Sequence, residues 1–124
     1  MNNYKNEVDL DTRISEYSRI KSKYLDRIPI IINFDKELSK LDIKKKYLVP
    51  NEVSCSYLMS IIRRRIFLNS SNALFMYCNN KLMSGVKLIS EVYDEYVEDM
   101  RNDPDFQKGD KFLYVYISNE NTFG

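Results

Sequence analysis

The chain has 124 residues, 44% of them apolar, enough for one globular domain and too few for two. Its 19 Lys and Arg nearly cancel 18 Asp and Glu, so total charge gives no reason to expect a nucleic-acid partner, and the lack of histidine removes the commonest general base and zinc ligand. No apolar run approaches the length of a membrane span and the polar start, Met1-Asn2-Asn3-Tyr4-Lys5, lacks a signal-peptide pattern; the reading is a cytosolic chain without catalytic apparatus, metal or cofactor.

A helical turn is expected around Lys5–Asp9. Asp9 or Asp11 then caps a longer helix in which Leu10, Ile14, Tyr17, Ile20 and Tyr24 recur every three or four residues. Pro29 forces an extended chain, and Ile28–Asn33 reads as a buried strand. The polar stretch Phe34–Asp42 reads as a loop. Lys46–Val49 is a second strand, entered through Lys44-Lys45-Lys46 and stopped by Pro50-Asn51. Ser54 caps the next helix, whose apolar positions Cys55, Leu58, Met59, Ile62 and Ile66 share one face. Arg63, Arg64 and Arg65 fill its last turn, where cations meet the negative end of the helix dipole.

Ala73–Cys78 and Lys81–Met83 read as strands joined by a tight turn at Asn79-Asn80. Val86–Met100 is a helix with Leu88 or Ile89, Val92, Tyr93, Tyr96 and Met100 inward. Arg101–Asp110 contains Pro104 and Gly109 and reads as an inserted polar loop on an acidic surface. Lys111–Ile117 is a final strand and Ser118–Gly124 an exposed tail. Residues 1–66 carry 14 basic and 9 acidic side chains and residues 67–124 carry 5 and 9, so one half is a basic surface and the other an acidic one. Cys55 and Cys78 lie in apolar contexts without metal-ligand spacing and read as buried free thiols. A hairpin, a crossover helix and a returning hairpin with a final strand is the order of an α+β domain of the β-grasp type.

Several segments together resemble the lipid-conjugated autophagy modifiers, the ubiquitin-like family that includes GABARAP. They are Arg13-x-Ser15-Glu16, Ile20-x-x-Lys23-Tyr24-x-Asp26-Arg27-Ile28-Pro29-Ile30-Ile31, Lys44–Pro50 and Ile62–Ile66. Ala73-Leu74-Phe75, Asn79-Asn80, Phe112-Leu113-Tyr114 and Ser118-x-Glu120-x-x-Phe123-Gly124 continue the match in order. Leu25 stands where the family commonly has Pro, Leu58 where an aromatic is common, Ser60 where a bulky residue is, and the 101–110 loop is longer.

The resemblance implies a single ubiquitin-like domain: an N-terminal pair of helices in residues 1–26, a β-grasp core in 27–117 and a flexible conjugation tail in 118–124. It implies no enzymatic activity. Gly124 would be activated by an E1-like enzyme, passed to an E2-like enzyme and joined to phosphatidylethanolamine, with a delipidating cysteine protease as a further partner. Glycine suits that role because a residue without Cβ threads a narrow channel and leaves its carbonyl open to attack. Ending on Gly124 resembles the apicomplexan branch, which implies lipid-anchored protein on autophagosome-like vesicles or the apicoplast membrane.

The same resemblance assigns a groove for peptides with an aromatic-x-x-aliphatic motif. Glu16, Ile20, Pro29, Ile31, Lys46, Leu48 and Phe112 would form the aromatic-anchor pocket. Tyr47, Val49, Pro50, Val53, Leu58 and Ile61 would form the aliphatic-anchor pocket, and Arg27, Lys44 and Arg65, with Glu16, an ionic rim. Strand alternation sends Lys46 and Leu48 to one face and Tyr47 and Val49 to the other. Ordinary core packing is the competing reading for Ile31, Val53 and Ile61. A non-conjugated β-grasp adaptor that binds short peptides is the alternative function.

Overall fold

A computed structural model describes residues 3–66 and 73–119. Five strands, β1 (Arg27–Phe34), β2 (Lys46–Pro50), β3 (Phe75–Cys78), β4 (Lys81–Leu82) and β5 (Leu113–Ser118), form one sheet in the order β2-β1-β5-β3-β4. β1 runs parallel to β5 and antiparallel to β2, and β3 is antiparallel to both β4 and β5. This is the mixed β-grasp sheet expected from the sequence. Among the described residues five α-helices accompany the sheet: α1 (Asn3–Glu7), α2 (Leu10–Lys23), α3 (Cys55–Ile66), α4 (Ile89–Met100) and α5 (Pro104–Lys108).

The apolar alternation of β1 explains why both faces of the sheet are covered. Ile28, Ile30, Ile32 and Phe34 point into the main core with Leu58 and Ile62 of α3, Ile89, Val92 and Tyr96 of α4, and Leu113, Val115 and Ile117 of β5. Ile31 points the other way, against Tyr4 of α1, Tyr17 and Ile20 of α2, and Phe112. The Tyr17 and Phe112 rings meet edge to face at 5.4 Å. Pro29 is tolerated in this central strand for a geometric reason. Ile32 donates its N–H to Lys45 O of the β2 side, so alternate residues put the Pro29 nitrogen on the β5 side, where pairing begins only at Ile30.

Local capping follows the sequence. Asp9 Oδ1 accepts the Thr12 N–H at 2.8 Å to start α2, and Ser54 Oγ accepts the Tyr57 N–H at 3.1 Å at the start of α3. Asn79 and Asn80 both adopt positive φ, 50° and 64°, as the two-residue β3–β4 turn requires. Leu25 is exposed, and Lys21 Nζ donates to the carbonyls of Leu25 and Arg27 at 3.1 and 2.8 Å, bracing the α2–β1 turn.

Several boundaries differ from the sequence reading. The stretch after Phe34 includes a 3₁₀ turn at Leu38–Lys40, and Leu38 is buried in the core. α4 starts at Ile89 rather than Val86, because Val53 O takes the Ile89 N–H and Glu91 Oε1 takes the Leu88 N–H, fixing the first turn there. β5 extends through buried Ser118, which the sequence reading gave to the tail.

The larger correction concerns 101–110, which is not a passive polar loop. Asp103 caps α5 by accepting the Phe106 N–H at 3.0 Å, Pro104 occupies its first turn, and Gly109 ends it. Phe106 is buried edge to face on Tyr96, with centroids 6.1 Å apart. Gly109 has φ 123° and a Cβ there would stand 3.1 Å from Ile14 of α2, so the turn packs directly on the N-terminal helix. Beside it, Arg13 of α2 is buried and ion-paired with the fully buried Asp110 carboxylate. Arg13 Nε also donates to Val8 O at 2.9 Å, and Tyr114 donates its hydroxyl to the same Asp110 oxygen at 2.7 Å. This segment fastens α2 to the sheet.

Candidate functional site: the edge of strand β2

β2 is an edge of the sheet, short and basic, as a strand kept from indiscriminate pairing should be. Its register with β1 is Lys46 opposite Ile31, Tyr47 opposite Ile30, Leu48 opposite Pro29 and Val49 opposite Ile28. Ile28, Ile30 and Ile32 aim their backbone groups at β2. The inward partners are therefore Lys45, Tyr47 and Val49, and the backbone N–H and C=O of Lys46 and Leu48 face outward. Among the described residues no strand pairs with that side.

The two expected pocket sets fall on opposite faces of this edge. On the α2 face, Ile20, Ile31 and Phe112 pack in one cluster, Pro29 lies across from Leu48, and Lys46 is ion-paired with Glu16. The Lys46 ammonium also stands 5.5 Å from the centre of the Tyr4 ring, and Tyr4 donates its hydroxyl to Glu16 at 3.2 Å. Burial works against the charge on Lys46, but its bonds to Glu16 and Tyr4 outweigh that and hold its pKa above the ordinary lysine value. Glu16 and Lys46, with Asp11, Thr12, Ser15 and Arg19, line an open depression of about 500 Å³. Ile31 and Phe112 are buried, whereas Leu48 and Ile20 keep part of their surface open.

On the α3 face, Tyr47 and Val49 point into the main core, with Val53 and Ile61 partly buried against it and Pro50 exposed at the strand end. Leu58 is completely buried and supports this face from beneath. Two cations stand over the Tyr47 ring, Lys44 Nζ and the Arg65 guanidinium, each 5.6 Å from its centre. Arg27, at the other end of the strand pair, stands 5.6 Å from the Tyr24 ring. Arg27, Lys44 and Arg65 are exposed, whereas the charge of Lys46 is already engaged by Glu16 and Lys45 is paired with Glu7 at 3.0 Å.

Both cysteines are free and buried. Burial pushes the Cys78 thiol up to about 12 and raises Cys55 as well, so neither resembles an activated nucleophile. Among the described residues no group of His, Cys, Asp or Glu is arranged to hold a metal ion, and no helix is long and apolar enough to cross a membrane. Gly124 lies outside the described residues.

Sequence reasoning missed the Arg13–Asp110 pair, the structural use of α5 and the part played by Tyr4. The signal for α5 was present: Asp103-Pro104 followed by Gly109 is a cap, a first-turn proline and a stop. Tyr4 had no comparable signal, because its value comes from meeting Ile31 and Glu16 across the fold.

A model of the family described as autophagy protein Atg8, ubiquitin like, matches residues 12–124. Autophagy-related protein 8 of Pichia angusta is 37% identical over 123 residues, covering 98% of this chain and 90% of the relative. Autophagy-related protein 8a of Arabidopsis thaliana is 39% identical over 116 residues, covering 93% and 87%. Among solved structures, Trypanosoma brucei ATG8 superposes with a TM-score of 0.72 at 30% identity, over 98% of this chain and 97% of that one. With the β-grasp sheet, the helical pair on its second face and identity spanning nearly the whole chain, this protein belongs to the Atg8 family of ubiquitin-like autophagy proteins.

Proposed function

We propose that this protein is a modifier, not itself an enzyme, joined through Gly124 to phosphatidylethanolamine and used on membranes to recruit partners through the β2 edge. E1-like and E2-like enzymes perform the chemistry, and the chain supplies the acyl group. The observation that carries the recruitment half is the placement of two apolar sets on opposite faces of one open edge strand. A peptide added as a strand bonds to the outward groups of Lys46 and Leu48. Side chains three apart on an extended chain point to opposite faces. An aromatic-x-x-aliphatic spacing therefore sends one anchor toward Ile20, Ile31 and Leu48 and the other toward Val53 and Ile61. Exposed Arg27, Lys44 and Arg65 favour acidic residues flanking the motif and speed encounter.

Calorimetry with a peptide of acidic residues, Trp, Phe or Tyr, two spacers, and Leu, Ile or Val tests this half. Leu48→Ala should cost about 2 kcal/mol of binding through lost anchor packing. Binding unchanged in both Leu48→Ala and Lys46→Ala removes the site from consideration. Gly124→Ala separates the modifier from a non-conjugated adaptor: it should abolish membrane association and leave peptide binding intact.

A further inference from the structure

The tail that carries Gly124 leaves the sheet after Ser118 of β5, which pairs with Phe75 of β3, and the Asp35 carboxylate binds both Ser118 and Asn119 there. Asp35 directly follows β1. Its N–H donates to Ile117 O at 2.9 Å, extending the β1–β5 pairing one residue past the strand end. Asp35 Oδ1 accepts the Leu38 N–H at 2.8 Å and starts the 3₁₀ turn. Oδ2 accepts two bonds at 2.9 Å each, from the Ser118 hydroxyl and from the Asn119 N–H. We propose that Asp35 is a positioning residue for conjugation, pinning the root of the tail so that Gly124 is presented from a fixed exit point. The proposal rests on Gly124 being the conjugated residue.

The physical reasoning is about tethers. Gly124 is five residues beyond Asn119, and an extended chain spans at most about 3.3–3.6 Å per residue, so a root fixed at Asn119 confines Gly124 to within roughly 18 Å of it. Without the Oδ2 bonds the last fixed point retreats from Asn119 to Ser118, which stays buried in β5 and paired with Phe75 of β3, and the exit direction those bonds set at Asn119 is lost. An enzyme that must receive the tail in a narrow channel then meets a more dispersed end, which lowers the productive fraction of encounters. The carboxylate is the group suited to this: it accepts the Leu38, Ser118 and Asn119 bonds at once on two oxygens. Burial alone would raise its pKa, but those N–H and hydroxyl bonds outweigh it and keep the group ionised. An amide offers one acceptor oxygen and cannot serve both the turn and the tail.

Single-turnover thioester formation with the E1-like enzyme, over a range of modifier concentrations, tests the proposal alongside amide hydrogen exchange at Asn119. Asp35→Asn should raise Asn119 exchange at least tenfold and lower the maximal transfer rate three- to tenfold. The concentration for half-maximal rate and the affinity for the motif peptide should both stay within twofold of the parent. Ser118→Ala, which removes one Oδ2 bond and leaves the 3₁₀ turn capped, should give a smaller loss in the same parameter and serves if Asp35→Asn folds poorly. A parent that forms thioester beside variants transferring at its rate, with Asn119 exchange raised, overturns the positioning role while leaving conjugation standing. Variants whose peptide affinity falls in step with the transfer rate also overturn it, as general loosening. A parent that forms no thioester overturns the conjugation reading, and the positioning role with it.

Discussion

Asp110→Asn is the most exacting test of how the N-terminal helices are held. The Asp110 side chain is 0% exposed and that of Arg13 6%, so the pair sits where solvent gives neither charge relief. With an amide at 110, Arg13 keeps Val8 O at 2.9 Å and an oxygen of the one-third-exposed Asp105 at 3.4 Å, and Tyr114 keeps at best a neutral acceptor. Removing one partner of a buried ion pair costs about 3–5 kcal/mol because the other charge is stranded. The nearby Asp105 puts the expected loss at the lower end, about 3 kcal/mol, or roughly 10 °C in melting temperature for a domain of this size. Urea unfolding followed by circular dichroism measures it, with an unchanged denaturant slope as the control for two-state behaviour. Pairing the substitution with Arg13→Met should recover part of the loss, a coupling of about 2 kcal/mol in a double-mutant cycle. A single-variant loss under about 0.5 kcal/mol, or strict additivity in the cycle, refutes the reasoning.

Three further outcomes follow from the same geometry. Gly109→Ala should cost about 1–3 kcal/mol in the same unfolding assay, because φ 123° and the 3.1 Å approach to Ile14 leave no strain-free place for a methyl. Buried, with its pKa pushed up to about 12, the Cys78 thiol stays protonated at pH 8, so thiol reagents should modify the native protein only at its unfolding rate and the urea-unfolded chain within minutes. Asp35 is held below the ordinary carboxylate value of 3.8, so its stabilisation is fully present above that pH and is lost as pH falls through its lower folded value. Asp35→Asn should accordingly destabilise at pH 6 and flatten the stability slope below about pH 4, measured as urea midpoints at both pH values.

The elements that carry strong periodicity were legible from residues alone. The three or four-residue recurrence from Leu10 to Tyr24 gave α2 and narrowed its cap to Asp9 or Asp11, of which the fold uses Asp9, and the isoleucine run gave β1. The edge status of β2 was also legible, from its shortness and its lysines, and alternation correctly divided Lys46 and Leu48 from Tyr47 and Val49. What escaped were contacts between segments far apart in the chain. Arg13 and Asp110 are 97 residues apart, and each alone reads as a solvated charge. Asp35 looked like a loop residue, since its role depends on β5 arriving beside β1. α5 showed its cap, first-turn proline and stop, but as a short turn with one buried aromatic, Phe106, it lacks the periodic pattern that marks longer helices.

Whether Gly124 carries a lipid most directly separates a membrane-conjugated modifier from a peptide-binding adaptor of the same fold. Mass spectrometry of the membrane-bound protein, digested to release the peptide ending at Gly124, reads it. The expected result is that peptide carrying phosphatidylethanolamine through an amide on the Gly124 carboxyl, absent from the soluble fraction and from Gly124→Ala. Membrane-bound protein whose Gly124 carboxyl is free, or a Gly124→Ala variant that reaches the membrane as the parent does, would contradict it.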